Sequence, residues 1–593
     1  MATSPFVEGT NLISFTILSE GTEIPSTYEV LSIRTEQFVN RVAEAEIVLR
    51  DGNTAKQTFA ISDSDTFKPG NEIEIKLGYE NLNDSVYKGV VVKQAIKIEN
   101  NDAKLVVTLK DKTLALTLTR KNGIFTDVKD QELITEIAQD YGVTANVDST
   151  TVLHKEIVQY YATDWDFIVN RAEVNGLMVI TDSGSLTVAK PNVSAAPELQ
   201  LQYGYDIMEF DGELDATYQY SGVAGNSWDI ASQSVIDATA TEPTVNDQGD
   251  ISGATLANVL NAGTNELRTT APIDEEAIQE WADAALLKSR LSQYKGDIIF
   301  QGSAKAKVNS TIKLLGLGNR FNGNALITGV VHTIADGQWY TETKIGWSDE
   351  WFAENKNISG PIAAGLLPGI KGLQTGIVKQ IYEDPDNEFR VQVSIPILGI
   401  EGEAVWARLT NFYTGNGFGA FFMPEVDDEV VLGFMNDDPR FPIILGSVYS
   451  SAIPAPEEPN EENTIKTLVT QSKLELRFDE ENKVVTIQTP EGNSMVLTEE
   501  DKGIVITDQN GNSITMNDEG VVVESKSKLT LKASEEVEIE GSSVKISGSE
   551  SIDASGGSVS VSGEQSTSIS GSASCDISSD GQMSVKGLTV MIN

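Results

Sequence analysis

The sequence predicts a mainly β protein of several domains that ends in a needle of short strands. The chain has 593 residues, too many for one hydrophobic core. Glycine is frequent, and serine, threonine and valine crowd the last third, which favours strands and tight turns. From Ile514 onward, apolar residues recur as pairs of the form apolar-x-apolar, seven or eight residues apart. These three observations together predict the fold class.

The first 350 residues combine strand patterns with a few helices. Residues 1–120 alternate in strand fashion, as in Glu72–Leu77, and predict a first β-barrel. Helical spacing predicts two short helices, Gln131–Tyr141 and Asp164–Glu173, and a third around 274–292. In the second, Trp165, Ile168, Val169 and Ala172 share one face. In the third, one stripe holds Ile278, Trp281, Ala282, Ala285 and Leu286, and core packing is its predicted use.

Residues 376–450 contain several strand-like runs separated by turn signals. The turns lie at Asp384-Pro-Asp-Asn, Gly415-Asn-Gly and Asn436-Asp-Asp-Pro. Five strands in about 75 residues predict a small barrel of OB type. A stretch rich in proline and glutamate follows at 451–463 and predicts an extended, stiff linker.

The apolar pairs predict that the needle needs three chains. Alternation within a pair indicates a strand with one buried face. Two small apolar side chains per repeat, at roughly 25 cal/mol per Å², barely offset the ordering of about eight residues. We therefore predict three chains wound around a common axis; a disordered Ser/Gly tail and a single-chain β-solenoid are the alternatives. The predicted inward positions are Val521, Val523, Leu529, Leu531, Val537, Ile539, Val544, Ile546, Val559, Val561, Cys575, Ile577 and Val585.

Composition and motifs argue against nucleic-acid binding, metal binding and catalysis. The net charge of −45 repels phosphate backbones, so nucleic acid is not an expected partner. The only two histidines, His154 and His332, lie far apart without a cysteine pair, so we expect no zinc site. Asp384–Glu388 lacks the glycine and distal glutamate of a calcium loop and predicts a turn. We expect no catalytic, cofactor or metal site, and no enzyme.

One region resembles a known family. The OB domain of VgrG proteins resembles this chain over two adjoining stretches, Pro424–Phe434 and Asn436–Tyr449. Three shorter motifs belong to the same resemblance: Asp384-Pro, Arg390-Val-Gln-Val and Trp406-Ala-Arg. These proteins are the spikes of type VI secretion systems and related contractile injection systems, and phage tail spikes share the domain. The residues that carry the motif are Trp406, Pro424, Glu429, Gly433, Asp438, Pro439 and Gly446. Upstream, Tyr160–Val188 and Phe321–Thr341 resemble the family's hub, and the terminal repeat resembles its triple-stranded β-helix.

The resemblance implies a complete domain order. It implies a hub of two β-barrels with a small α/β insert, an OB-fold, and a C-terminal triple-stranded β-helix formed by trimerisation. The expected boundaries are 1–120 for the first hub barrel, 121–204 for the α/β subdomain, 205–350 for the second hub barrel with one helix, 351–373 for a connector, 374–450 for the OB-fold, 451–463 for the linker and 464–593 for the needle.

The resemblance also implies partners. A homotrimeric hub would sit on a hexameric tube protein within a baseplate, and a PAAR-like tip protein would seat on Leu588, Val590, Ile592 and Asn593. The resemblance further implies effector cargo, and a target membrane that the spike pierces without binding. With no signal peptide in Met1–Gly9, we expect assembly in the bacterial cytoplasm and expulsion on firing, from either a type VI system or a free extracellular particle. The linker is too short for an inserted lysozyme domain, and the chain ends after the repeat, so we expect no appended toxin.

The alternative function is a trimeric glycan-binding tailspike or adhesin. Sugar platforms use exposed aromatic rings, and the needle has no Trp, Tyr or Phe after Phe478. This composition favours the injection spike.

Overall fold

The computed structural model describes residues 2–6, 12–100, 102–399 and 402–592. Strands account for 40% of the chain and helices for 12%, so the predicted mainly β fold is confirmed. The chain divides into two compact units, Met1–Gly446 and Ser447–Asn593. None of the helices in the described part of the chain is both long and apolar enough to cross a membrane.

Alternation builds the core of the first strand-rich segment. In one strand Ile73, Ile75 and Leu77 are buried, while Glu74 and Lys76 point to the other face. The strands are β1 (Ile13–Ser19), β2 (Thr22–Glu23), β3 (Val30–Phe38), β4 (Glu44–Arg50), β5 (Glu72–Tyr79), β6 (Leu82–Glu99) and β7 (Asp102–Lys110).

An α/β segment follows, and both of its predicted helices are confirmed to within two residues. The second begins after Thr163, whose hydroxyl accepts a hydrogen bond from the Asp166 amide at 3.0 Å. Its predicted apolar face is buried: Trp165, Ile168, Val169 and Ala172. The elements are β8 (Arg120–Lys129), α1 (Asp130–Gln139), β9 (Thr144–Val147), β10 (Leu153–Thr163), α2 (Asp164–Val174), β11 (Met178–Asp182) and β12 (Ser185–Ala189).

The next segment contains the predicted third helix as α4, with Ile278, Ala282 and Leu286 buried and Trp281 and Ala285 half-buried. The sequence predicted one helix between 205 and 350, whereas the structure also has α3 and the short α5. The elements are β13 (Leu199–Gln202), β14 (Ile207–Leu214), β15 (Gly222–Asp229), β16 (Ser234–Thr239), α3 (Gly253–Leu260), β17 (Thr264–Arg268), α4 (Glu275–Leu291), β18 (Tyr294–Gln301), β19 (Thr311–Leu315), α5 (Gly318–Phe321), β20 (Gly323–Ala335), β21 (Gln338–Ile345) and α6 (Phe352–Asn355).

The two strand-rich segments share one sheet of 13 strands. Its main path runs β14-β18-β21-β20-β3-β4-β7-β6-β5-β1-β2. The segments join where β20 pairs antiparallel with β3, with Ile334 opposite Ile33. Two separate apolar cores lie against this sheet, one around Ile47 and Leu105 and the other around Phe300.

A buried ion pair ties the start of the connector to α2 and α4. Lys288 is 1% exposed at its side chain, and its Nζ lies 3.0 Å from a carboxylate oxygen of Glu173, itself 3% exposed. The rings of Trp347 and Trp351 lie 4.6 and 5.1 Å from the ammonium, which also donates to the Glu350 carbonyl at 2.9 Å. Burial lowers the pKa of Lys288, and the Glu173 carboxylate opposes that shift.

The predicted five-stranded barrel is confirmed as a closed barrel in the order β22-β23-β24-β28-β27. Val378, Val391, Ala407, Val430 and Leu432 fill its interior. The elements are β22 (Gln374–Gln380), β23 (Val391–Ser394), β24 (Val405–Leu409), β25 (Thr414–Gly415), β26 (Phe418–Gly419), β27 (Glu429–Phe434) and β28 (Pro442–Ser447).

The second unit begins with a seven-stranded antiparallel meander in which each strand pairs with the next. Past Glu524, the described residues 525–592 form no strand in the single chain. The strands are β29 (Ile465–Val469), β30 (Glu475–Asp479), β31 (Val484–Gln488), β32 (Ser494–Thr498), β33 (Gly503–Thr507), β34 (Ser513–Asn517) and β35 (Gly520–Glu524).

Candidate functional site: an uncovered apolar face

The meander presents one face on which 13 of 14 positions in two rows are apolar. Register places the side chains of each row directly opposite one another across all seven strands. The first row is Leu468, Leu476, Ile487, Met495, Ile506, Ile514 and Val523. The second row is Lys466, Phe478, Val485, Leu497, Ile504, Met516 and Val521.

The opposite face of the meander is largely polar. Two cross-strand rows there hold 10 polar side chains among 14 positions: Thr467, Arg477, Thr486, Val496, Val505, Thr515 and Val522 in one, and Val469, Glu475, Gln488, Ser494, Thr507, Ser513 and Glu524 in the other. Arg477 forms an ion pair with Glu457, which brings the Pro/Glu linker onto this side of the sheet. The meander therefore has one face suited to water and one that is not.

The apolar face has no cover within the described part of the chain. Leu468, on the edge strand β29, is 45% exposed, and Ile487 is 50% exposed although it lies inside the sheet on β31. A groove of about 620 Å³ runs along the first row, bordered by Ile487, Ile506 and Leu529. Monomeric proteins rarely expose a contiguous apolar strip of this kind, so the face calls for a partner surface.

The spacing of the apolar pairs changes between the last two strands of the meander, β34 and β35. Leu476, Val485, Met495, Ile504 and Ile514 follow one another at nine or ten residues, enough for a five-residue strand and a turn of four or five. From Ile514 onward the spacing falls to seven or eight. Sequence reasoning recognised only the shorter spacing and so missed the first five strands of the face.

The structure places the predicted inward positions in two groups. Val521 and Val523 lie on β35 and belong to the apolar face. The other eleven, including Cys575, lie in the strand-free residues after Glu524 and are exposed in the single chain. Leu588, Val590 and Ile592 are also exposed, and Asn593 lies outside the described residues.

The OB motif residues hold turns and strands of the barrel. The Asp438 carboxylate accepts hydrogen bonds from Arg440 Nε and Nη2 at 3.0 and 2.7 Å, and that guanidinium lowers the pKa of Asp438. Pro439 follows in the same turn. Glu429 and Gly433 lie on β27, Gly446 lies on β28, Trp406 lies on β24 and Pro424 is buried in the loop before β27.

The Asp384 segment is a turn, as predicted. Its carboxylate accepts from the amides of Asp386, Glu388 and Arg390 at 3.2, 2.8 and 3.1 Å. The Arg390 guanidinium lowers the pKa of Asp384 and lies 5.9 Å from the Trp406 ring. These bonds use up the carboxylate that a calcium site would need.

The two histidines lie in unrelated surroundings. His154 Nε2 is 3.0 Å from Asp130, which also accepts from Arg171. His332 is buried, its Nδ1 lies 2.9 Å from the Thr341 hydroxyl, and burial lowers its pKa to about 3. The described residues hold no cluster of three or more His, Cys, Asp or Glu side chains suited to a metal.

The barrel and the apolar face of β29–β35, which follows it in the sequence, indicate a VgrG-like spike protein. Residues 374–449 match the type VI secretion system/phage-baseplate injector OB domain, and residues 484–573 match the phage baseplate V C-terminal trimerisation domain. Residues 9–336, more than half of the chain, match the Alg8 N-terminal domain, and the chain belongs to that family.

Curated relatives include type VI secretion system spike proteins of Pseudomonas aeruginosa. VgrG1b is 21% identical over 392 residues, which cover 59% of this chain and 50% of VgrG1b. VgrG4b is 33% identical over 98 residues, 15% of this chain and 12% of VgrG4b. The chain thus spans half the length of these relatives or less. Among solved structures, the 43 kDa tail protein of prophage MuSo2 from Shewanella oneidensis aligns with a TM-score of 0.43 and 13% identity, covering 57% of this chain and 99% of that one.

Proposed function

We propose that the chain is the central spike and hub of a contractile injection machine, and that it works as a homotrimer. The observation that carries this proposal is the uncovered apolar face of β29–β35 and its continuation through the later pairs. Three copies would turn their apolar rows toward a common axis and leave the polar faces in water. The matches to a baseplate OB domain and a trimerisation domain support this arrangement.

The energetics favour three chains over one. Burying a Leu, Ile or Val side chain contributes about 1.5–3 kcal/mol. One chain gains none of this along residues 525–592, because its apolar pairs are exposed there. Each layer of a trimer buries three copies of a pair, and that gain offsets the ordering of the backbone.

The finer roles follow from the same assembly. The hub would dock on a hexameric tube protein within the baseplate, and the needle would carry a tip protein and effector cargo through a target envelope. The spike would be assembled with the machine in the bacterial cytoplasm and expelled when the sheath contracts. The function is mechanical and needs no catalytic residue. Exposed Leu588, Val590 and Ile592 support a tip seat, and deleting residues 588–593 should abolish tip binding without changing the oligomer.

Two neighbouring residues on β31 provide a matched test. Ile487 lies on the apolar face and Thr486 on the opposite one, in the same strand. Native mass measurement of the purified chain should give about three times the 64.0 kDa of one chain. Ile487→Glu would place three carboxylates against the apolar axis and should yield monomers, because burying an unpaired charge costs several kcal/mol.

The control variant Thr486→Glu adds the same charge to the solvent face and should remain trimeric. A monomeric wild-type protein, or equal behaviour of the two variants, would contradict the proposed axis.

A further inference from the structure

A small sheet in the first unit has an open edge. β15, β16 and β17 form a three-stranded sheet in the order β16-β15-β17, and among the described strands β16 pairs only with β15. Natural edge strands are often protected by proline, lysine or a bulge. β16 contains neither proline nor lysine, and its register with β15 is unbroken. The Thr239 carbonyl at one end of this edge accepts from Gln279 Nε2 at 2.9 Å, and the rest of the outer edge presents backbone donors and acceptors to an added strand.

Apolar side chains lie beside this edge on a preformed hairpin. Trp228 and Val235 face each other across β15 and β16 and are 42% and 55% exposed. Ile230, in the turn between the strands, is 66% exposed. The Asp229 carboxylate holds the turn by accepting from the Ala231 and Ser232 amides, each at 3.1 Å.

The segment that carries the edge is rich in acidic residues, of which Glu242 and Asp250 are paired with Arg290 and Arg320 from other parts of the chain. Residues 216–273 contain one basic residue, Arg268, whose Nε donates to Glu266 at 3.0 Å. Asp237 lies mid-strand on β16, on the same face as Val235, and its described side-chain partner is the neutral amide of Asn226. The acidic residues of this segment are Asp229, Asp237, Glu242, Asp247, Asp250 and Glu266.

The position of Asp237 selects the occupant. Side chains directly across neighbouring strands lie about 5 Å apart, so like charges there are destabilising. A second copy of this acidic segment would bring carboxylates together. A strand with a lysine or arginine at that position gains an ion pair, and an apolar residue two positions away meets Val235.

We propose that β16 is a docking edge for an extended segment of a partner protein, in which an apolar and a cationic side chain alternate on one face. The partner strand adds to β16 through backbone hydrogen bonds, and Asp237 and Val235 give it specificity. This interaction surface shares no residue with the apolar face of β29–β35.

Charge reversal with a matched peptide tests the proposal on the full chain. The probe is a fluorescein-labelled peptide in which Val, Thr, Lys and Thr repeat, and its counterpart carries Glu in place of Lys. Fluorescence anisotropy should show that the wild-type protein prefers the Lys peptide by about tenfold or more. Asp237→Lys should reverse that preference and bind the Glu peptide more tightly.

The control is Glu156→Lys, an exposed acidic residue on β10 of the same unit. It changes the net charge of the chain by the same amount as Asp237→Lys and should leave the wild-type preference intact. Hydrogen exchange should show the Lys peptide protecting amides of residues 234–239. Equal effects of the two substitutions, protection elsewhere only, or self-association of the wild-type protein through this edge would overturn the proposal.

Discussion

Replacing Glu173 by glutamine should destabilise the first unit more than any exposed charge removal. The carboxylate accepts from Asn40 Nδ2 at 2.9 Å and from Lys288 Nζ at 3.0 Å through one oxygen, and from the Phe352 amide at 2.7 Å through the other. A glutamine amide turned either way sets its NH₂ group against one of these donors. It also leaves the Lys288 ammonium buried without a counter-charge.

The expected loss is about 3–5 kcal/mol, the usual cost of breaking a buried ion pair by removing one partner. Urea unfolding of the full chain, followed by tryptophan fluorescence, measures it, and Trp347 and Trp351 report directly because they flank the ammonium. Adding Lys288→Met to Glu173→Gln should recover part of the loss, because the double variant buries no charge at this position.

Glu266→Gln is the control, since Glu266 and its partner Arg268 are 50% and 73% exposed at their side chains. That substitution should cost less than about 1 kcal/mol. If the two glutamine variants unfold at the same urea concentration, the Glu173–Lys288 pair does not hold the connector and the reasoning fails.

Two further predictions concern Cys575 and His332. In the proposed trimer the three Cys575 thiols converge on the axis, so mild oxidation should join two chains by a disulfide and leave the third thiol free, which non-reducing gels would show. The control is Ser574→Cys in a Cys575→Ser background, whose thiol points outward and should not cross-link. Cross-linking of the control alone would contradict the inward position of Cys575. His332 has a folded pKa of about 3 and an ordinary value of 6.5, so as pH falls between these values the unfolded state takes up a proton that the folded state does not. The free energy of unfolding should therefore fall by up to about 1.4 kcal/mol for each unit by which the pH is lowered in this range. His332→Gln should reduce this pH dependence, which urea unfolding at several pH values would measure. Equal pH dependence in the wild-type protein and the variant would contradict the burial of a neutral imidazole.

Local patterns predicted the local structure well. The α2 and α4 helices followed from apolar spacing, and the barrel followed from strand runs separated by turns. The α3 helix has only eight residues, Gly253–Leu260, and is too short for a clear period. The β3–β20 pairing joins residues about 300 positions apart, and no local pattern encodes such a contact.

The candidate site was predicted in part for a similar reason. The seven- or eight-residue spacing revealed the later pairs, while the rows on β29–β33 escaped because their spacing is longer. The Glu173–Lys288 pair was not predicted because its surroundings come from four separate stretches of chain.

The meander and the residues after it impose an order on folding. Each strand of β29–β35 pairs with its neighbour in sequence, so one chain can close these hairpins within microseconds. Residues 525–592 make no such pairs, and in the proposed trimer their ordering waits for two other chains, in a step whose rate depends on protein concentration. In that trimer the needle would close from the meander outward, from Ile465 toward Ile592, and a shortage of chains would stall assembly after the last hairpin.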